Sequence, residues 1–449
     1  MKLLIKASRS IIPQCLAAKR TTPLLAETLG LTDYIFYQNI LPNALGDLLS
    51  SANLQFAAIC WCFFLEGWND GTTGPLIPVM QESYHINFVV VSLLFVFNCI
   101  GFILGAGTNV YLNERYGLGK IMFIGSLFQV AAYAMESPQP PFPVMVIAYA
   151  LAGFGMSLQN AQGNGFVGGL KEHKTTKLNM LHAAYGLGAF VSPLVATHFS
   201  YEHHWSYYFI ISTGIAVSNS VVLAFVFRFK TQEGEMPQKC HGLGFESETN
   251  CISRSRSANL YRSILNTKAV HFLAVFAFIY IGTEVTLGGW IVTFIINERQ
   301  GGKSAGYFSS GFFGGLTLGR LCLIWFSKKV GEHRVIFVYA LLAIALEITV
   351  WFVPSIIENG VAISFVGLLL GPMFPILVGH AARILPAWLL TESVGWIAAT
   401  GMSGSAALPF ITGLLASRYG IRSLQPLVVS MMCTLAGVWA LVPRTRRVD

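Results

Sequence analysis

The chain has 449 residues, of which 54% are hydrophobic and only 11% are charged. Soluble domains average about 25% charged residues, so this composition excludes a soluble globular protein. The formal net charge of +8 could suit a nucleic-acid partner, but most of the 29 Lys and Arg residues fall on one side of the apolar runs described below, which is the distribution that orients membrane proteins.

The apolar residues form about a dozen runs of roughly 20 residues, the length that a helix needs to cross a bilayer core. The runs begin near Leu54, Phe88, Lys120, Val144, Leu178, Ser206, Val270, Ser304, Val335, Val361, Val394 and Leu424. They predict an all-α membrane protein with twelve transmembrane helices in two pseudo-symmetric six-helix halves. The predicted parts are an N-terminal cytosolic tail (1–50), a first half (51–230), a cytosolic linker (231–267), a second half (268–443) and a cytosolic tail (444–449).

The basic residues predict that both termini and the linker are cytosolic. The Lys and Arg residues on the opposite side are Arg299, Lys303, Arg418 and Arg422. The N-terminal tail is expected to be disordered; because its first 20 residues contain basic residues and no acid, a transit peptide is the alternative. No cysteine spacing is typical of a zinc site, and we expect no metal and no other cofactor. The sequence leaves the plasma membrane and the vacuole equally open.

Two carboxylates lie in the first span. Glu66 and Asp70 are four residues apart and share one face of a helix, with Trp68 and Asn69 between them. Carboxylates this close repel one another, which favours proton binding by at least one of them. Ionisable residues inside a membrane are costly and therefore indicate function. We expect a proton site here, and the alternative is a pair satisfied by backbone or water near a membrane face.

A charged loop joins the second and third spans. It contains the acid–base pair Glu114–Arg115, the glycine Gly117 and a following cation, Lys120. Glycine permits a tight turn between helices, and the charges can hold the two halves together on the cytosolic side. Topogenic charge at a hairpin would explain one copy of this pattern, whereas a second copy favours a gate.

The fourth span contains four amide side chains. Asn160 and Asn164 share one face of a helix, and Gln159 and Gln162 share another, so all four cannot face one cavity. Amides match hydroxyl groups, and aromatic faces cover the C–H side of a sugar. The aromatic candidates for such a site are Trp68, Tyr185, Trp290 and Trp396. The alternative for each amide is a hydrogen bond that joins two helices.

Small residues recur in the second and eighth spans. Gly101 and Gly105, and likewise Gly315 and Gly319, are four residues apart. This spacing lets helix backbones approach closely, so we expect a structural role, with the second span of each half packed against its counterpart. Glu347, in the ninth span, lacks polar neighbours in the sequence and is also expected to be structural.

The second half repeats the first at an offset of 214 residues. Acid, Thr, Gly and Ile keep their spacing in Asp70–Ile77 and Glu284–Ile291, which makes Glu284 the partner of Asp70. The charged loop recurs with Arg320, Lys329, Gly331 and Arg334. Such a repeat inside an apolar protein is typical of transporters built from two homologous halves.

The two copies of the charged loop resemble the cytosolic loop signature of the major facilitator superfamily. The first, fourth and fifth spans resemble its fucose permease branch. Asn69-Asp70 matches the Asn-Asp of that branch, in which the acid couples protons and contacts sugar, and His182 and Tyr185 fall where the permease binds sugar through amide side chains.

The fourth span departs from that branch. Asn160 stands where the permease has its second carboxylate. Glu66, one turn from Asp70, is the candidate replacement for the missing acid. If Glu66 does not replace it, the proton coupling that the resemblance implies is not inherited.

The resemblance implies the major facilitator fold and secondary active transport. We expect proton symport of a small polar solute of the sugar class by alternating access. The alternatives are an exporter or uniporter of another small organic solute and a non-transporting membrane sensor. The sequence shows no nucleophile–base or metal constellation, so no enzyme is predicted. The expected partners are the solute, a proton and the bilayer, without nucleic acid, and we expect a monomer.

The candidate residues fall into three groups. Proton coupling is assigned to Asp70, Glu66 and Glu284. Substrate binding is assigned to Trp68, Asn69, Gln159, Asn160, Asn164, His182, Tyr185, Trp290 and Trp396. The cytosolic gate is assigned to Glu114, Arg115, Lys120, Arg320, Lys329 and Arg334. The side chains assigned to proton coupling and substrate binding are expected to converge near the bilayer midplane.

Overall fold

The structure is a computed structural model that describes residues 51–170, 174–227 and 263–444. The first half comprises α1 (Ser51–Tyr84), α2 (Phe88–Tyr116), α3 (Leu118–Glu136), α4 (Phe142–Gly169), α5 (Lys174–Phe199) and α6 (Tyr208–Phe227). The second half comprises α7 (Lys268–Arg299), α8 (Tyr307–Cys322), α9 (Ile324–Val330), α10 (Glu332–Phe352), α11 (Ile356–Leu370), α12 (Met373–Ile384), α13 (Ala387–Tyr419) and α14 (Leu424–Leu441). The predicted N-terminal tail and most of the predicted linker lie outside these residues, so the domain boundaries stay predictions.

These helices form twelve spans. Ten segments of the described chain are long and apolar enough to cross a membrane. The other two spans are α1, which is 34 residues long but carries three acidic residues, and the pair α8 and α9, whose first helix has only 16 residues. The tenth span is α11 followed by α12, because Pro372 lacks the N–H that would continue the helix after Gly371. The predicted all-α membrane fold is confirmed.

Close packing around glycine repeats between the two halves. Gly101 of α2 lies against the carbonyl group of Ala150 in α4, and Gly315 of α8 lies against that of Ser364 in α11. The glycines differ by 214 in number, and so do their partners. The repeat read from the sequence is therefore also a repeat of helix packing.

The glycine contacts lie within each half, on α4 and α11. The expectation that they bring the second span of each half against its counterpart is therefore wrong. Across the halves, α2 packs on α13 and α5 packs on α8. Since the repeat exchanges α2 with α8 and α5 with α13, the two contacts between the halves are related by the same pseudo-symmetry.

The halves meet at the end of the molecule where α1 and α5 finish and α2 and α8 begin. There the Tyr201 hydroxyl donates to the Gly302 carbonyl at 3.0 Å. The rings of Phe88 and Trp290, from opposite halves, lie 5.9 Å apart. We call this the closed end. If the termini are cytosolic, as predicted, the closed end faces away from the cytosol.

The predicted orientation can be tested with cysteines that the linker already contains, Cys240 and Cys251. A variant that keeps only these two cysteines is expected to react with a membrane-impermeant maleimide only after the cells are permeabilised. Ser304→Cys, at an exposed position of the closed end, is the matched control and should react in intact cells. Labelling of the linker in intact cells would contradict the orientation.

Both charged loops turn at a glycine. Gly117 ends α2 with φ 75° and ψ 164°, and Gly331 ends α9 with φ 94°. The conformation of Gly117 is one that essentially only glycine adopts. The glycine of each copy is thus required by backbone geometry as the chain reverses between spans.

Gly117→Ala is expected to lower the free energy of unfolding by about 1–3 kcal/mol, because alanine would be strained at this φ and ψ. The measurement is thermal unfolding of the detergent-purified protein. Gly107→Ala is the matched control: it lies inside α2, an added Cβ would meet nothing within 4 Å, and alanine favours helix. Equal unfolding temperatures for the two variants would contradict the strain at Gly117.

Candidate functional site

The backbones of α1 and α5 touch, and this contact places the polar residues of α1. A Cβ added at Gly67 would collide with the carbonyl group of Tyr185, and one at Gly188 would collide with that of Phe64. Small residues permit this approach. As a result, Asp70 on α1 lies within hydrogen-bond distance of the Tyr185 side chain on α5.

Glu66 is bound by an amide of α4. Its side chain is buried, and Asn160 Nδ2 donates to Glu66 Oε1 at 2.7 Å. Asn164, one turn further along α4, donates to Asn160 Oδ1 at 3.0 Å. The two amides that the sequence places on one helix face thus form a chain that ends on the Glu66 carboxylate.

Asp70 accepts two hydrogen bonds. Tyr185 Oη donates to Asp70 Oδ2 at 2.6 Å, and Asn69 Nδ2 donates to Oδ1 at 3.4 Å. Asn69 is held in turn by Tyr133 of α3, whose hydroxyl donates to Asn69 Oδ1 at 3.2 Å. Asp70 is therefore fixed by three helices of the first half.

Glu284, the repeat partner of Asp70, forms an ion pair. Arg320 Nη2 of α8 lies 3.3 Å from Glu284 Oε1, with side chains that are only 17% and 10% exposed. The same guanidinium lies 5.8 Å from the ring centroid of Tyr185, in the other half. A polar chain, which we call the interhalf network, thus runs Asp70–Tyr185–Arg320–Glu284. Asp70 and Glu284 are close enough to interact electrostatically.

The charges around this network do not balance. Arg320 neutralises Glu284, but within the described part of the chain neither Glu66 nor Asp70 forms an ion pair. An unpaired carboxylate charge buried among helices costs several kcal/mol, and a bound proton removes that cost. The arrangement therefore favours proton uptake by Glu66 and Asp70.

Comparison of the two repeats shows that the buried carboxylate–amide pair belongs to the first half. The counterparts of Glu66 and Asn160 at the offset of 214 are Tyr280 and Phe374, whose rings stack with centroids 6.2 Å apart. A hydrogen-bonded polar pair in the first half is thus a stacked aromatic pair in the second. The second half contributes Glu284 and Arg320 instead.

Two other predicted site residues, Trp68 and Gln159, are engaged within the first half, and so is Gln162. Trp68 Nε1 donates to Ser212 Oγ at 2.9 Å, so its indole faces α6. Gln159 Nε2 donates to the backbone of α3 at 3.0 Å, and Gln162 Nε2 donates to Asn109 Oδ1 of α2 at 2.8 Å. These contacts match the alternative role of joining helices, and the structure does not bring these side chains to the interhalf network.

The remaining aromatic and imidazole candidates are dispersed. Trp290 is fully buried at the closed end, where its Nε1 donates to the Pro409 carbonyl at 3.1 Å. Trp396 is 40% exposed. His182 lies one turn from Tyr185 on α5, with its ring edge-on to another ring of the first half. Of these three, only His182 borders the interhalf network.

The predicted gate residues do not act together in this structure. Arg115 donates to the Tyr111 hydroxyl within its own helix at 3.2 Å. Lys329 lies over a tryptophan ring of its own loop, and the Arg334 side chain is exposed. Lys120 is half-buried, and the Glu114 side chain lies outside the described residues. Arg320, which the sequence groups with this loop, instead belongs to the interhalf network.

Sequence reasoning missed Tyr133 and the ion pair that Arg383 forms with Glu332. Tyr133 could have been recognised because it lies on the same face of α3 as two other polar residues, three and four positions away. The pair joins α12 to the start of α10 at 2.6 Å. This ion pair could not be predicted from the sequence, because its two residues lie far apart in the chain and belong to different helices.

The sequence model described as Major Facilitator Superfamily matches residues 59–387. The chain is 26% identical over 411 residues to Bypass of stop codon protein 6 of Saccharomyces cerevisiae, covering 87% of this chain and 82% of that protein. It is 21% identical over 392 residues to the glucose/mannose transporter GlcP of Bacillus subtilis, covering 86% and 94%.

Two solved structures share the fold. A bacterial homologue of the human lysosomal transporter Spinster, in an inward-facing and unoccupied conformation, matches with a TM-score of 0.72 at 11% identity, over 88% of this chain and 97% of that one. The E. coli fucose:proton symporter FucP matches with a TM-score of 0.59 at 14% identity, over 88% and 100%.

Proposed function

Because this chain belongs to the Major Facilitator Superfamily, we propose that it is a proton symporter of a small hydroxylated solute of the hexose or polyol class. The observation that supports this most is Asp70. It is a carboxylate between helices, without an ion-pair partner among the described residues, and it accepts a 2.6 Å hydrogen bond from Tyr185 beside the contact between the halves.

The interhalf network offers a route for coupling. A symporter must make the movement of its halves depend on the bound proton. With a proton on Asp70, Arg320 has one buried carboxylate to neutralise, and it stays on Glu284. When Asp70 loses its proton, the same guanidinium is attracted by carboxylates in both halves. The charge state of Asp70 then changes the energy of the contact between the halves.

The sugar class is supported by chemistry and by the names of relatives. Asn160 and Asn164 present amide groups at Glu66, and Tyr185 presents a hydroxyl at Asp70, one turn from Glu66. His182, one turn from Tyr185, adds an imidazole, and such groups pair well with hydroxyls. One similar protein is named a glucose/mannose transporter, and one similar structure is a fucose:proton symporter. A protein open at the end opposite the closed end could receive the solute beside these residues.

The test is uptake of labelled hexoses and polyols by vesicles that contain the purified protein, with a proton gradient directed inward. Symport predicts accumulation above the outside concentration, which a protonophore abolishes. Uptake that only equilibrates and ignores the gradient would support the uniporter alternative. Binding without any uptake would support the sensor, and a panel without binding or uptake would refute the sugar class.

A further inference from the structure

The third span carries a polar face inside the first half. Ser126, Gln129, Tyr133 and Glu136 follow one another at intervals of three or four residues on α3, and none is more than 2% exposed. Both amide atoms of Gln129 and the Oε2 atom of Glu136 lack a hydrogen-bond partner among the described residues. Buried polar atoms are normally paired, so an unpaired carboxyl oxygen here requires an explanation.

Among the described residues, no cation forms an ion pair with Glu136. The titratable groups that interact with it electrostatically are four tyrosines: Tyr84 of α1, Tyr133 of α3, Tyr149 of α4 and Tyr208 of α6. The described residues give it no ion pair with Lys, Arg or His. A buried carboxylate without a countercharge costs several kcal/mol, so the neutral, protonated form fits this site.

Three of the four tyrosines already form hydrogen bonds with other groups, Tyr133 with Asn69. Tyr84 Oη donates to the Pro140 carbonyl at 2.6 Å. The Tyr208 hydroxyl lies 2.7 Å from both Thr72 Oγ1 and Ser192 Oγ. The Tyr149 hydroxyl is buried beside Thr73 of α1.

Tyr133 connects Glu136 to the interhalf network. A phenol has one proton to donate, and here Tyr133 gives it to Asn69 Oδ1, while Asn69 Nδ2 donates to Asp70. An ionised Glu136, three residues from Tyr133 on the same helix face, would be the stronger acceptor. If Tyr133 turned to Glu136, Asn69 would lose a hydrogen bond that orients it towards Asp70.

We infer that Glu136 is a second proton-binding site, near the closed end, and that the hydroxyl of Tyr133 couples it to Asp70. When the carboxyl group of Glu136 holds a proton, Tyr133 donates its hydrogen bond to Asn69, as the structure has it. Release of that proton leaves a carboxylate, which takes the hydrogen bond of Tyr133. The site itself requires no solute, and only its coupling rests on the proposed titration of Asp70.

The experiment is infrared spectroscopy of the full-length protein in lipid vesicles, without solute, titrated with pH. The carbonyl stretch of a protonated carboxyl group is the readout. We expect one band that disappears on raising the pH and that is absent in Glu136→Gln. If that variant does not fold, Glu136→Asp keeps a carboxyl group and should shift the band.

Three further variants test the coupling. Asp70→Asn should move the loss of the Glu136 band to lower pH, on the order of one pH unit, because an ionised Asp70 no longer opposes a second charge. Tyr133→Phe should move it to higher pH, since the carboxylate loses its donor. Glu347→Gln is the matched control: Glu347 of α10 is fully buried, and its carboxyl oxygens have no hydrogen-bond partner in the described part of the chain. The variant should delete its own signal and leave the Glu136 band unchanged.

Two results would overturn the inference. A pH-dependent band set in Glu136→Gln identical to that of the wild type would show that Glu136 does not exchange a proton. A Glu136 band that titrates identically with and without Asp70→Asn would remove the coupling. Neither result depends on transport, so failure of this site is distinguishable from failure of the proposed solute symport.

Discussion

Asp70→Asn is expected to abolish accumulation of solute against its gradient while exchange of solute between the two sides persists. Asparagine keeps the size of the side chain and an oxygen that can accept the hydrogen bond of Tyr185. It cannot bind and release a proton, so it resembles the permanently protonated state. The protein can then bind and exchange solute, but a proton gradient cannot drive accumulation, because no proton binds and leaves at position 70.

The measurement compares uphill uptake with exchange in the same vesicles at two outside pH values. Wild-type uptake should fall as the outside pH rises, and Asp70→Asn exchange should not respond. Glu66→Gln should share the Asp70→Asn phenotype only if Glu66 replaces the acid missing at Asn160. The matched control is Glu347→Gln, a buried acid outside the network, which should accumulate solute normally. Uphill uptake by Asp70→Asn at the wild-type rate would refute proton coupling through this residue.

Arg320→Gln is expected to have the largest effect on stability. It would leave Glu284 buried without its countercharge, and loss of one partner of a buried ion pair costs about 3–5 kcal/mol. The pair is only 17% and 10% exposed, so solvent screens it little. The measurement is thermal unfolding in detergent, together with uptake in vesicles.

The double variant Arg320→Gln with Glu284→Gln separates stability from coupling. Removing both charges should restore most of the lost stability, since no unpaired charge remains, but uphill transport should stay absent if Arg320 links the halves. Arg383→Gln is the control: its pair with Glu332 is 63% exposed on the arginine side, and such pairs contribute about 0–1 kcal/mol. A double variant that accumulates solute normally would exclude the interhalf network from coupling.

The class of fold was readable from composition, because the bilayer requires long apolar helices and little charge wherever they occur in the chain. The division into two repeated halves could also be predicted from the sequence. Gly117 and Gly331 recur at a fixed offset because each chain reversal needs a backbone conformation that side chains disfavour. Each such requirement restricts the residue type at a single position, so it can be recognised from the sequence alone.

The carboxylates of α1 were identified for the same reason. Glu66 and Asp70 are conspicuous in an apolar span, and their spacing of four residues places them on one helix face without reference to any other helix. Their roles stay proposals. The structure adds the partners, Asn160 and Tyr185, which belong to helices far along the chain.

The rotation of each helix about its own axis could not be predicted from the sequence. In a soluble helix an apolar stripe marks the buried face, but spans in lipid are apolar all round. Trp68 and Gln159 were therefore assigned to substrate binding together with Asn160, although their side chains turn to α6 and α3. Arg320 was grouped with the neighbouring loop charges, although its guanidinium reaches Glu284.

By itself, the sequence determined that this protein is an all-α membrane protein of two repeated halves with a pair of acids in its first span, and it predicted twelve spans. These properties follow from hydropathy, glycine spacing and charge, which are carried by individual residues. Only the tertiary structure decided that α2 meets α13, that α5 meets α8, and that Asp70, Tyr185, Arg320 and Glu284 join across that contact. Those pairings depend on how helices that are apolar on every side rotate and pack against one another, and hydropathy does not encode that choice.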